Sequence, residues 1–128
     1  MARPNFFLVG IISIFSTLLG IIINALLNDF GALPAIVFYV VSFLADYYST
    51  IKIKDCHSKE TNPLFAILQR KFSPQLSFFV IFLVGILINI VSFLAIGDTI
   101  MSYVIGTGHV CMAITNHSIS KYKEEKCT

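Results

Sequence analysis

The most constraining feature of this sequence is where its nine lysine and arginine residues lie. None occupies the interior of four long apolar stretches, at about residues 6–27, 33–52, 74–96 and 99–118. The basic residues precede the first stretch, fill the connection between the second and third, and follow the fourth: Arg3, Lys52, Lys54, Lys59, Arg70, Lys71, Lys121, Lys123 and Lys126. Because cytoplasmic segments of membrane proteins are enriched in basic residues, this pattern predicts a multi-pass protein with both termini in the cytoplasm.

The overall composition indicates that lipid surrounds the chain. Hydrophobic residues make up 56% of the sequence and charged residues only 12%, and the mean hydropathy is +0.83. So few charges cannot cover the surface of a soluble domain of this size. The two predicted outer connections carry only acidic charges, Asp29 and Asp98. The sequence shows no basic stripe of the kind that binds nucleic acid, so the bilayer is the expected partner.

The first apolar stretch is interpreted as a membrane span and not as a cleaved signal peptide. Its 22 residues, 6–27, would reach about 33 Å as a helix, which is enough to cross a bilayer. That run is longer than the apolar region of a secretory signal, and no clear cleavage site follows it. We therefore expect it to be retained as the first span.

A short helix is predicted in the basic connection between the second and third spans. Asn62 and Pro63 are a typical cap and first residue for a helix over about residues 63–72. One face of this segment is apolar, and Arg70 and Lys71 lie on the opposite face. The pattern is typical of a helix lying on the inner membrane surface. The predicted fold is therefore all-α, an antiparallel four-helix transmembrane bundle with an interfacial helix between spans two and three.

Each predicted span carries a stripe of small or polar residues, which in membranes are the residues that pack between helices. The stripes are Gly10, Ser13, Thr17, Gly20 and Asn24; Ala35, Tyr39, Ser42, Asp46 and Ser49; Gly85, Asn89 and Ser92; and Ser102, Gly106, His109, Ala113, Asn116 and Ser120. Spacings of three and four average 3.5 residues, the period of a left-handed coiled coil. We expect the four stripes to face one common axis.

Asp46 and His109 stand out because ionisable groups inside a span are costly and often functional. Both lie in the inner half of their spans, about 9 Å and 14 Å from the predicted inner ends. If spans two and four are neighbours, the side chains meet, with the hydroxyl residues Ser13, Thr17 and Ser42 at similar depth. The hypothesis is an intramembrane Asp46–His109 pair, with Thr50 and Asn89 as further polar candidates. The alternative is that each side chain bonds separately to hydroxyls or backbone and only fixes helix register.

One segment resembles a known family. Asp46 and Thr50 form an Asp-x-x-x-Thr motif, and Glu60, Asn62 and Pro63 belong to a Glu-x-Asn-Pro motif after a short loop. The pattern is similar to small prokaryotic multi-span membrane proteins of unknown function, and the resemblance covers roughly residues 40–70. It implies no activity. It points to a cluster of oxygen-bearing side chains that either holds a cation or ties the loop to the bundle, and we favour the tie.

No disulfide framework, metal site or cofactor is expected. The three cysteines include one within a predicted span and two on the predicted cytoplasmic side, where thiols stay reduced. A zinc site built from Cys56, His57, His117 and Cys127 would have irregular spacing, so it is not predicted. No catalytic residues are assigned.

Three classes of function remain open. The size of the chain and the lack of a full catalytic set favour a structural or accessory subunit of a larger membrane complex, or a homo-oligomer. A transporter or channel component would use Asp46, His109 and Asn89 along a polar path. A membrane-embedded metal-dependent enzyme would use Asp46, His109, Glu60 and His117, but no dense ligand motif is present.

Overall fold

The computed structural model describes residues 6–53, 63–68 and 70–127, and all regular structure within them is helical. The elements are α1 (Phe6–Leu27), a 3₁₀ turn (Asn28–Phe30), α2 (Ala32–Ile53), α3 (Pro63–Leu68), α4 (Pro74–Ile96) and α5 (Ile100–Cys127). Among the described helices, α1, α2 and α4 are long and apolar enough to cross a membrane. Their outward side chains are largely Phe, Leu, Ile and Val. An apolar surface of this extent is typical of a membrane protein and not of a soluble monomer.

The ends of the long helices follow local sequence signals. Gly97 has a φ of 72°, and its N–H donates to the carbonyl of Phe93 at 2.8 Å, which closes α4. Asp98 then accepts a hydrogen bond from the N–H of Ile100 at 3.2 Å, which starts α5. At the other end of α4, the Ser73 hydroxyl accepts from the N–H of Leu76 at 3.3 Å. Glycine fits the left-handed closing position, and an N-terminal cap satisfies an otherwise unpaired donor.

Two helices differ in length from the sequence prediction. Helix α3 ends at Leu68 and not near residue 72, because the N–H groups of Lys71 and Phe72 both donate to the Leu68 carbonyl at 3.0 Å in a closing turn. The proline at position 74 also requires an extended residue before it, and Ser73 is extended. Helix α5 continues to Cys127, beyond the predicted end of the fourth stretch at about residue 118. Residues 121–126 are good helix formers without Gly or Pro.

Helix α5 is the central element, because it packs against both α1 and α2. Along the α1–α5 contact, Thr107 donates to the carbonyl of Ser16 at 2.6 Å and Thr99 donates to Asn24 Oδ1 at 3.2 Å. Between these bonds, Gly20 lies directly against the backbone of Val104. As residue numbers increase along α1, the numbers of their contact partners in α5 decrease, so these two helices run in opposite directions. Small residues allow this close approach.

The buried face of α1 differs from the predicted stripe. Gly10, Ser13 and Thr17 are exposed, and the buried residues are Ile12, Ser16, Gly20 and Asn24. This spacing of four residues replaces the expected alternation of three and four. The opposing residues of α5, Thr99, Tyr103 and Thr107, are also four apart. The predicted stripe of α1 was therefore correct for Gly20 and Asn24, which contact α5, and wrong for its exposed N-terminal half.

Helix α4 contacts α2 through aromatic side chains. The Tyr39 hydroxyl donates to the carbonyl of Phe82 at 3.2 Å, and the ring of Phe43 lies 4.9 Å from that of Phe82. The short helix α3 joins this group through Phe65, whose ring lies 4.3 Å from Phe78. Both Phe65 and Phe78 are buried. Aromatic packing therefore fixes α3 and α4 beside α2, next to the polar contact between α2 and α5.

Candidate functional site

Asp46 and His109 are in direct contact. Nδ1 of His109 donates a hydrogen bond to Oδ2 of Asp46 at 2.8 Å. Asp46 is 1% exposed and His109 is 7% exposed. A short bond between an acid and an imidazole in a dry environment is stronger than one in water. The pair joins α2 to α5 across the centre of their contact.

The register of α2 against α5 explains why these side chains meet. The residue numbers of contacting partners increase together along the two helices: Phe38 contacts Tyr103, Asp46 contacts His109, and Thr50 contacts Asn116. The two helices therefore run in the same direction. Within α2, Asp46 and Thr50 are one turn apart, and within α5, His109 and Asn116 are two turns apart. Each helix thus presents its polar residues on the face that meets the other.

Three more side chains complete the arrangement, and we call all five the Asp46 network: Asp46, Ser49, Thr50, His109 and Asn116. Oδ1 of Asp46 accepts from Thr50 Oγ1 and from Asn116 Nδ2, both at 3.5 Å. Asn116 Nδ2 also donates to Thr50 Oγ1 at 3.0 Å and to Ser49 Oγ at 3.3 Å. Bonds at 3.5 Å are weak, so the His109 contact is the strongest one that Asp46 makes here.

Aromatic rings hold the imidazole of His109 in place. The ring of Phe43 lies 5.2 Å away at an interplanar angle of 81°, and that of Tyr39 lies 6.1 Å away at 62°. Both are edge-on arrangements, which are favourable for aromatic pairs. These rings pack against the imidazole, whose side chain is only 9% exposed, and so restrict its movement beside Asp46.

The second nitrogen of His109 takes no part in the Asp46 network. Because Nδ1 donates to Asp46, Nε2 remains, and it has no hydrogen-bond partner among the described residues. The imidazole forms part of the wall of a groove between α1 and α5, together with Ser13, Ser16 and Thr17. Ser13 and Thr17 are two of the hydroxyl residues that the sequence places at the depth of the pair, and Ser16 lies beside them.

Other predicted site residues lie outside the network. Ser42 is buried beside Gly106, and its hydroxyl donates to the carbonyl of Phe38 at 2.6 Å. Asn89 accepts from the Ser102 hydroxyl at 3.0 Å, in the contact between α4 and α5. Ser102 precedes His109 by seven residues, which is about 10 Å along the helix. Asn89 therefore belongs to a separate polar contact, beside a cavity of about 260 Å³ near Asp98.

Of the loop motif, Pro63 is the first residue of α3, and Glu60 and Asn62 lie outside the described residues. The predicted tie or cation site at this loop stays a prediction. Cys56 and His57 also lie outside the described residues, and His117 is exposed. Within 6–53, 63–68 and 70–127, no group of three His, Cys, Asp or Glu side chains has the arrangement of a metal site.

Sequence reasoning did not single out Asn116 and Ser49 as site residues. The signal was present, because Ser49 follows Asp46 by three residues and Asn116 follows His109 by seven, so each lies on the face of its partner. Both were assigned to the small and polar stripes without a specific role. A polar residue in register with a buried charge is a stronger signal than the stripe alone.

The network offers limited chemistry by itself. The Ser49 hydroxyl donates to the carbonyl of Asp46 at 2.8 Å, and the Thr50 hydroxyl donates to the Asp46 carboxylate. Neither hydroxyl of the network is therefore bonded to His109 as a serine nucleophile would be.

No protein-family model matches this chain, and neither a curated protein nor a solved structure is significantly similar to it.

Proposed function

We propose that this chain is a four-span integral membrane protein that serves as a structural or accessory subunit of a larger membrane complex. The observation that carries the proposal is the internal hydrogen bonding of the Asp46 network. Both carboxylate oxygens of Asp46 accept from side chains of the same two helices. Polar groups inside a membrane that hydrogen-bond to one another between helices hold those helices together. They leave the outer, apolar helix faces as the surfaces for interaction.

The helix directions support an antiparallel four-span arrangement. Helices α1 and α5 run in opposite directions, α2 and α5 run in the same direction, and α2 and α4 run in opposite directions, as the pairs Tyr39 with Phe82 and Tyr47 with Phe78 indicate. With four crossings, the basic residues in the middle connection and at both ends favour a cytoplasmic position for the termini. The exposed Arg70 and Lys71 then favour an inner-surface position for α3.

Helix α5 is proposed as the fourth span although it is less apolar than the other three long helices. Its polar residues Thr107, His109 and Asn116 are buried against α1 and α2. A polar helix is tolerated in a membrane when its polar face is turned to other helices and away from lipid. The arrangement is in keeping with the resemblance to small prokaryotic membrane proteins, which supplies no activity.

Helix α4 is the proposed docking surface for the larger partner. Only 11% of the residues in its most apolar 18-residue segment are buried, the lowest fraction among the three apolar helices. Leu83, Leu87 and Leu94 are exposed on it. Because lipid is as apolar as leucine, exposure alone gives no driving force, and affinity has to come from close packing with a shaped partner. A bulky change on this face therefore reports on docking.

We expect the protein to co-purify with a larger membrane protein at fixed stoichiometry after extraction in a mild detergent. Leu87→Trp should reduce the co-purified partner several-fold, because it adds bulk to the α4 face. Phe15→Trp on α1 is the matched control, since Leu87 is 60% exposed and Phe15 is 59% exposed. Quantitative mass spectrometry of the tagged protein measures both. Purification of the wild type as a lone chain, or equal recovery from both variants, would contradict the proposal.

A transporter or channel component is the second candidate, and the buried contact of Asp46 with His109 favours it. Paired ionisable groups within spans mark proton and ion routes in other membrane proteins. On this hypothesis, proteoliposomes should show a proton flux that Asp46→Asn reduces at least ten-fold. Asp29→Asn is the control, because Asp29 is exposed in the 3₁₀ turn. Wild-type flux no higher than that of empty liposomes rejects this candidate.

A further inference from the structure

The groove between α1 and α5, here called the α1–α5 groove, has a volume of about 290 Å³. Its polar and small lining residues are Ser13, Ser16, Thr17, Gly108 and His109. The rest of the wall is apolar and includes Met112. Cavities near 150 Å³ already accept a benzene ring, so this groove has room for a ring or for several methylene groups.

His109 is the one ionisable side chain that lines the groove. Its side chain is only 9% exposed, and its Nδ1 edge is directed to Asp46 on α2. Nε2, on the other edge of the ring, has no hydrogen-bond partner among the described residues. His109 thus lines the groove with one ring nitrogen bonded to a carboxylate and the other without a partner, and such a nitrogen is suited to bind a polar group.

The polar atoms of the groove are hydrogen-bond acceptors. The hydroxyls of Ser13 and Thr17 donate to the carbonyls of Val9 and Ser13 at 2.8 Å and 2.7 Å. The Ser16 hydroxyl donates to the Ser13 carbonyl at 3.1 Å. Their hydrogens are therefore used within α1, and their oxygens present lone pairs. In a neutral imidazole whose Nδ1 carries the proton, Nε2 also presents a lone pair. A ligand that matches this groove has to donate a hydrogen bond.

We propose that the α1–α5 groove binds the hydroxyl group of an apolar molecule dissolved in the bilayer, with Nε2 of His109 as the acceptor. The groove opens between two helices on the outside of the bundle, so such a molecule reaches it through lipid. A quinol and a long-chain alcohol share this chemistry, an apolar body with a hydroxyl donor. The proposal concerns binding alone, and it stands whether or not the protein docks to a larger partner.

The test uses the full-length protein in lipid nanodiscs with ¹⁵N-labelled histidine. Decylhydroquinone and 1-decanol are the two hydroxyl probes, and the dimethyl ether of decylhydroquinone is the control without a donor. We expect a saturable change in the Nε2 resonance of His109 with a hydroxyl probe and none with the ether. A response to decylhydroquinone alone identifies an aromatic hydroxyl as the ligand chemistry, and a response to both probes identifies any hydroxyl. An equal response to the ether, or no saturable response at all, would overturn the proposal.

Gly108 lines the groove, so a larger side chain at this position should fill part of it. A Cβ at Gly108 lies 3.8 Å from the Ser16 hydroxyl, which is an ordinary van der Waals contact. Gly108→Leu should weaken probe binding at least ten-fold while the Nδ1 resonance of His109 is unchanged. Gly10→Leu is the matched control, because nothing lies within 4 Å of a Cβ at that position.

Two further results would also overturn the proposal. Probe affinity that is unchanged in Gly108→Leu would place the probes elsewhere. A change of oligomeric mass in Gly108→Leu, with no probe binding to the wild type, would identify the groove as a helix-packing surface. If Gly108→Leu fails to assemble, the comparison of the hydroxyl probes with the ether in the wild type decides the question alone.

Discussion

Replacing His109 with leucine should lower the free energy of unfolding by about 3 kcal/mol. The reason is the carboxylate that is left behind, since Asp46 is buried and its remaining side-chain contacts to Thr50 and Asn116 are both 3.5 Å long. Removing His109 leaves the buried carboxylate without its strongest hydrogen-bond donor, and that loss exceeds the net contribution of the intact pair. Asp46→Leu should have a smaller effect than His109→Leu, because an unpaired imidazole ring costs less to bury than an unpaired carboxylate.

Reversible unfolding in mixed detergent micelles measures this effect. His117→Leu is the matched control, since His117 lies on the same helix but is exposed. The double variant Asp46→Leu with His109→Leu should recover most of the loss, because it buries no unpaired charge. A double variant that is as unstable as the sum of the single variants would show that the two side chains act independently. Equal stabilities of His109→Leu and His117→Leu would show that the pair contributes nothing.

Gly20→Ala should also destabilise the protein, by about 2 kcal/mol. A Cβ at Gly20 would lie 2.5 Å from Cα and 2.7 Å from N of Val104. The obstructing atoms are backbone atoms of α5, so they cannot move aside as a side chain would. The helices have to separate, which stretches the Thr107–Ser16 and Thr99–Asn24 hydrogen bonds on either side of the contact.

The control for this substitution has the opposite sign. Gly10 lies on the same helix with open space at its Cβ position. Because alanine favours a helix more than glycine does, by up to about 1 kcal/mol, Gly10→Ala should be neutral or stabilising. The same unfolding assay compares the two variants. If Gly20→Ala is as stable as Gly10→Ala, the close packing of α1 on α5 is not part of the folded state in the membrane.

The elements that the sequence predicted well are those with local causes. Helix α1 begins and ends at the predicted residues 6 and 27, and α4 covers the predicted residues 74–96. The Ser73 cap, the proline after it and Gly97 act within a few residues of the chain, so they are visible without a fold. The contact of Asp46 with His109 was also foreseeable, because two costly groups at comparable depth are expected to meet if their helices are neighbours.

The parts that were not predicted depend on which helices become neighbours. A stripe of small residues shows that a helix packs closely, but it does not identify the partner. Helix α1 carries small or polar residues on two faces. The face with Ser16 packs on α5, whereas Ser13 and Thr17 lie at the groove beside this contact. The spacing from His109 puts Asn116 on the same face of α5, but its bonds to Ser49 and Thr50 depend on the register of α2 against α5. These features arise from packing between helices and not from local preference.

The central position of α5 has a consequence for biosynthesis. On the proposed four-span arrangement, α5 leaves the ribosome after α1 and α2 and is the least apolar of these long helices. It would then bring Asn116 and His109 into a bilayer that resists them. The earlier helices α1 and α2 supply the complementary hydroxyl, amide and carboxylate groups. We expect stable insertion of α5 to require that α1 and α2 are already in the membrane. Release of α5 from the translocon and its packing against α1 and α2 would then be one coupled step.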